Sequence, residues 1–131
     1  MHGDRAVGCP HLLRALMRAR PLVHCFGHIH EGYGAQRIAW GRDAEDVSTK
    51  EMSMSQLMQW ADKGEGTDVE VLEADMEKAR WDRCVRVDVS EGGKRPLQRG
   101  KESLLVNAAV LDERYKAVNA PWLVDVDLPR A

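Results

Sequence analysis

Aromatic side chains are scarce in this sequence: Phe, Tyr and Trp make up 5% of its 131 residues, with one Phe, two Tyr and four Trp. So few rings offer little surface for stacking on nucleic-acid bases, which argues against a base-stacking reader. An excess of one charge is also missing, since 19 Lys and Arg face 21 Asp and Glu for a net charge of −2. A balance this close does not coat a polyanion or an anionic membrane, so neither nucleic acid nor a membrane is indicated as a partner. No run of about 18 apolar residues is present to cross a bilayer. The opening MHGDRAVGCPHLL has neither the basic start nor the apolar stretch of a secretion signal. Cys9, Cys25 and Cys84 are odd in number, and two of them lie in apolar surroundings that suit small buried thiols better than disulfides. Together these absences predict a cytoplasmic protein with reduced thiols.

What is present is unevenly spread. Residues 1–39 carry five basic and two acidic side chains, residues 40–102 eleven and fifteen, and residues 103–131 three and four. All five histidines, His2, His11, His24, His28 and His30, fall in the first thirty residues, so any chemistry starts there. Pro10 suits the first turn of a helix, and HLLRALMRAR then sets Leu12, Leu13, Leu16 and Met17 at helical spacing up to Pro21. Leu22–Phe26 (LVHCF) reads as a buried strand that delivers GHIHEGYG into a loop, and Ala35–Trp40 as a second strand, giving one strand–loop–strand unit. Periodicity predicts helices over about Met52–Ala61 and Val69–Trp81, with Leu57, Met58, Trp60 and then Val71, Leu72, Met76, Ala79 and Trp81 as their apolar stripes. Glu91–Glu102 has glycines, a proline and dense charge without periodicity, and reads as a mobile loop. Ser103–Leu111 and Pro121–Pro129 read as two final strands of a buried sheet.

The most informative motif is GHIH at 27–30. In extended backbone, residues at i and i+2 project to the same side, so His28 and His30 can share a metal ion while Ile29 faces the core. Gly27 is expected to let the chain turn sharply off its strand. Neutral imidazole suits Zn, Fe, Mn or Ni, and such ions polarise phosphoryl oxygens and lower the pKa of a bound water. Two ligands alone do not hold a catalytic ion.

GCPHLL, then RPLVHCFGHIHEGYG, then LLVNAAVLDERYKAVNAPWLVDVDLP, in that order, resemble the C-terminal part of the calcineurin-like metallophosphoesterases, specifically the small metallophosphoesterase-domain subfamily common in fungi. The resemblance covers about 65 of the 131 residues, in segments 8–40 and 103–129, with about 41–102 as a helical insertion. It implies an α/β chain forming the C-terminal half of a four-layer α/β/β/α sandwich, with two divalent metal ions (Mn, Fe, Zn or similar) at the strand ends of the complete domain. It makes His28 a ligand of the second metal and His30 a ligand of the first, with Gly27 as the motif glycine. Glu31, Gly32, Tyr33 and Asn107 are the loop-supporting candidates, Glu31 and Tyr33 beside substrate and Asn107 as an orienter of the GHIH loop. The family's D-x-H, GD and GNH motifs, the GD aspartate bridging the two metals, have no counterpart here, and they lie upstream of everything the resemblance covers. Without that carboxylate two ions would repel each other, so the chain alone is expected to hold no paired metal centre.

The remaining candidates read as structural. His24 is expected to be a satisfied core histidine, His11 a solvent-facing helix residue, His2 no ligand, and Cys25 a buried thiol between Val23 and Phe26. Asp125 and Asp127 share one face of a strand by alternation and are expected at a solvated strand end. The activity that the resemblance implies is hydrolysis of phosphoesters, phosphodiesters in particular, by a metal-activated hydroxide. The alternative is a non-catalytic remnant that acts as a binding or interaction protein through helices of residues 50–82.

Overall fold

The computed structural model describes residues 9–41, 67–72 and 75–128. Helix α1 spans Pro10–Ala19, with Pro10 in its first turn. Arg20 takes the left-handed conformation at its C-cap and donates its backbone N–H to Leu16 at 2.7 Å. Pro21 follows, so both ends of α1 fall where the prolines place them.

Strand β1 (Val23–Phe26) leads through the histidine segment to β2 (Gly34–Trp40), and β3 (Thr67–Leu72) precedes helix α2 (Met76–Asp82). Strands β4 (Val85–Asp88), β5 (Glu102–Asn107) and β6 (Trp122–Asp125) complete the described elements. Four strands form one sheet in the order β1-β5-β2-β3, and β4 and β6 form a second, parallel pair. β5 runs parallel to β1, from Val23 opposite Leu104 to Phe26 opposite Asn107, and antiparallel to β2, from Gly34 opposite Asn107 to Ala39 opposite Glu102. The strand–loop–strand unit expected from the sequence is therefore opened: β1 and β2 are both strands, but β5 lies between them. The reason is in β5 itself, where Leu104 and Val106 face one side and Leu105 the other, so that both faces need cover and the strand is central.

Each face of the larger sheet has its own core. On one, Met17 of α1, 1% exposed, packs with Ile38 and Trp40, flanked by Leu13, Leu16 and Leu105. On the other, Ala35, Leu104 and Val106 meet Val89, with Val23, Leu72, Val87, Trp122, Val124 and Val126 around them, so the β4–β6 pair covers that face. The described chain is thus mixed α/β, layered as helix, four-stranded sheet and two-stranded sheet. None of its described helices is long and apolar enough to cross a membrane.

Residues 67–72 and 75–101 depart in part from the helical insertion expected of them. Val69–Trp81 is not one helix: Thr67–Leu72 pairs with β2 as an edge strand, and a helix begins only at Met76, where the Asp75 carboxylate accepts the Lys78 N–H at 2.9 Å. Alternating TDVEVL fits a strand as well as a helix face, and the open edge of β2 decides between them. Trp81, expected in an apolar stripe, is 88% exposed, whereas Ala79 is buried. The expected helix over Met52–Ala61 lies outside the described residues.

The charged segment after β4 is tied down rather than mobile. Arg37, buried on β2, donates to the carbonyls of Arg95 (2.9 Å) and Pro96 (2.6 Å) and forms a two-pronged ion pair with Glu102. Leu97 joins the core, and its N–H reaches the Val89 carbonyl at 3.1 Å. A buried guanidinium needs this many acceptors, and a loop without periodicity supplies them from its backbone.

Candidate functional site around His28 and His30

The parallel β1–β5 pair ends at Phe26 opposite Asn107, and the histidine segment begins one residue later. There the turn is made by His28, at φ 77, and not by Gly27, which shows no positive φ. Left-handed backbone is costly for a residue with a Cβ, and it is found where surrounding structure overdetermines it. Ile29 is extended (φ −82, ψ 94), and His30–Gly32 form one turn of 3-10 helix. The i, i+2 geometry of an extended strand, expected for His28 and His30, is therefore replaced by a bend followed by a helical turn.

Asn107 clamps this bend. Its Nδ2 donates to the Ile29 carbonyl at 2.7 Å, and its Oδ1 accepts the Ala109 N–H at 3.2 Å. Gly32 sits so close that an added Cβ would lie 3.2 Å from Asn107 Nδ2. His28 is exposed, and His30 is half-buried with Nδ1 3.0 Å from the Asp112 carbonyl and its ring edge-on to Tyr115, centroids 5.2 Å apart. Tyr33 donates its hydroxyl to the Ala120 carbonyl at 2.6 Å and packs its ring against Trp122. Burial raises its pKa. The two links, His30 to Asp112 and Tyr33 to Ala120, fasten the histidine segment to both ends of the 112–120 connection.

Glu31 is exposed beside the pair. His24 is half-buried and stacked on Phe26 (5.5 Å, 20°), outside both core clusters. Cys25, expected buried, is exposed, because β1 is a sheet edge and nothing among the described residues covers it there. Asp125 and Asp127 sit at the partly solvated end of β6 as expected, where Asp125 pairs with Arg86 at 2.8 Å and Asp127 accepts the Glu91 N–H at 2.5 Å, so these carboxylates brace the second sheet. His11 is exposed on α1, and His2 lies outside the described residues.

Two imidazoles are the right donors for a divalent first-row ion, but they are fewer than the about four ligands such sites use. Among the described residues no three His, Cys, Asp or Glu side chains gather to hold one. Asp112 and Tyr115 were not singled out from the sequence, where DERYKAVN reads as a polar connector. The available signal was local: an Asp opening a short polar run whose side chain can bond the backbone two residues on.

No protein-family model matches the chain, and no solved structure matches it. Two curated proteins share a short stretch with it. The probable rhamnogalacturonate lyase C of Emericella nidulans is 53% identical over 36 residues, 26% of this chain and 4% of that protein. The UPF0046 protein T07D4.2 of Caenorhabditis elegans is 51% identical over 35 residues, 26% of this chain and 9% of that protein. The chain thus spans under a tenth of the length of either relative.

Proposed function

We propose that this chain is the C-terminal portion of a calcineurin-like metallophosphoesterase, and that His28 and His30 contribute two ligands to a divalent metal site that hydrolyses phosphoesters. The observation carrying this reading is the built setting of the histidine pair, with His28 in left-handed backbone, His30 held at Nδ1 by a carbonyl 3.0 Å away, and the intervening Ile29 carbonyl clamped by Asn107. A segment that only joined two strands would not need three such constraints. The helix–sheet–sheet layering and the position of the pair at the end of the β1–β5 strands support the four-layer sandwich as its complete architecture. A divalent ion at such a site supplies Lewis-acid polarisation of a phosphoryl oxygen and a lowered pKa for bound water. The chain's own residues do the positioning: Asn107 sets the bend, Asp112 and Tyr33 fasten it, and the exposed His28 and Glu31 border the approach of substrate.

One observation favours the alternative for the chain by itself. Among the described residues the two histidines have no third ligand, as a non-catalytic binding protein would not need one. Both readings meet one test: Mn2+-dependent hydrolysis of bis(p-nitrophenyl) phosphate by this chain and by any longer polypeptide encoded in frame with it. Turnover by the longer form that drops about 100-fold or more on replacing His28 and His30 by Ala, with the circular dichroism spectrum unchanged, is the expected result. Turnover that survives the double replacement removes both residues from the site.

A further inference from the structure

Asp112 is connected more densely than a turn residue needs to be. Its backbone N–H donates to the Lys116 carbonyl at 2.9 Å, and its Oδ1 accepts the N–H groups of Arg114 (2.8 Å) and Lys116 (2.9 Å). Its carbonyl oxygen accepts the Tyr115 N–H at 3.0 Å and meets His30 Nδ1 at the same distance. The carboxylate therefore winds the turn, and the wound turn aims the carbonyl. Tyr115 holds left-handed backbone at φ 58 while its side chain stays 78% exposed, so burial of the ring does not account for the conformation. What the conformation accomplishes is to close the turn on the Asp112 carbonyl and to set the ring edge-on against His30.

A carbonyl oxygen has no proton to give. The contact to His30 is a hydrogen bond only when Nδ1 carries hydrogen, and in the neutral ring the lone pair is then on Nε2. We infer that Asp112 is a positioning residue for His30: its carboxylate shapes the 112–116 turn so that its own carbonyl fixes the Nδ1–H tautomer and leaves Nε2 as the face that meets a divalent cation. The use of Nε2 rests on the metal-site reading above; the tautomer does not. Orientation of a ligating imidazole through its other nitrogen is a general means of raising metal affinity.

The test separates the two. In the metal-free chain at mildly alkaline pH, long-range 15N–1H correlation spectra report which nitrogen of His30 is protonated. Asp112→Asn keeps an Oδ1 acceptor for the turn, and Asp112→Ala removes it. The expected result is Nδ1–H in the wild type and in Asp112→Asn, with Asp112→Ala moving toward Nε2–H. A wild-type ring protonated mainly at Nε2, or a folded Asp112→Ala with the wild-type tautomer, overturns the inference. Zinc titration then reads the consequence: affinity falls about 10- to 100-fold in Asp112→Ala and is restored in Asp112→Asn. A fixed tautomer with zinc meeting His30 at Nδ1, or meeting other histidines in preference to it, sustains the role of Asp112 and overturns the metal reading alone.

Discussion

His28 carries the clearest cost in the described chain, a side chain held at φ 77 where glycine is at ease. Replacing it by Gly is expected to stabilise the fold by about 1 kcal/mol in urea unfolding and, on the function proposed above, to remove one metal ligand. A loss of stability would mean that the imidazole itself braces the bend. Arg37 and Glu102 make a second residue-scale case, with side chains 7% and 14% exposed and a 2.9 Å bond between them. Pairing with Arg37 holds the Glu102 carboxyl below its ordinary 4.5. The folded state therefore binds that proton less readily than the unfolded chain, so the stabilisation is complete above about pH 4.5 and is lost as pH falls through the folded pKa. Glu102→Gln is expected to cost about 2 kcal/mol at pH 7, the gap to the wild type closing in unfolding curves taken at successively lower pH. An equal gap at all pH values would contradict the assignment. The GHIH spacing made the histidines legible in the sequence, but the left-handed residue was not, because glycine beside it was the expected turn-maker and only the closing of the bend against Asn107 puts the strain on His28.

Among the elements, those with proline boundaries or unbroken apolar runs, α1, β1, β2, β5 and β6, were legible in type from the sequence. β3 was not, and α2 was legible as a helix but not in where it begins, since TDVEVL satisfies both periodicities and its pairing with β2 is a long-range choice. The segment between β4 and β5 escaped for a related reason: Arg37, buried more than fifty residues earlier in sequence, organises it through the Arg95 and Pro96 carbonyls. Its first turn is equally specific. Ser90 bonds the Asp88 carboxylate through both its N–H (3.1 Å) and its hydroxyl (2.6 Å), and a Cβ added to Gly93 would lie 2.9 Å from the Asp88 carbonyl oxygen. Gly93→Ala is accordingly expected to lower stability by about 1–3 kcal/mol, with earlier hydrogen exchange at Ser90 and Gly93, while Gly92→Ala, which meets only the Ser90 hydroxyl at 3.8 Å, stays near neutral. Equal effects at the two glycines would show that the turn relaxes.

At the scale of the whole molecule, the mixed α/β class and the two-faced central sheet follow from alternation along β5 and from the apolar face of α1, both readable in the sequence. The sheet order was not readable, because placing β5 between β1 and β2 depends on contacts about eighty residues apart. That order is also what brings Asn107 and the Asp112 turn against GHIH, so the setting of the site is a property of the topology and not of the motif. On the function proposed above, this setting makes His28 and His30, rather than His11 or His24, the metal-binding pair among the described histidines. Titrating Mn2+ into the 15N-labelled chain and following the side-chain resonances of all five histidines tests it directly. Selective broadening of His28 and of His30, at Nε2 in the latter, is the predicted result; broadening at His11 and His24 equal to or stronger than at the pair would contradict it.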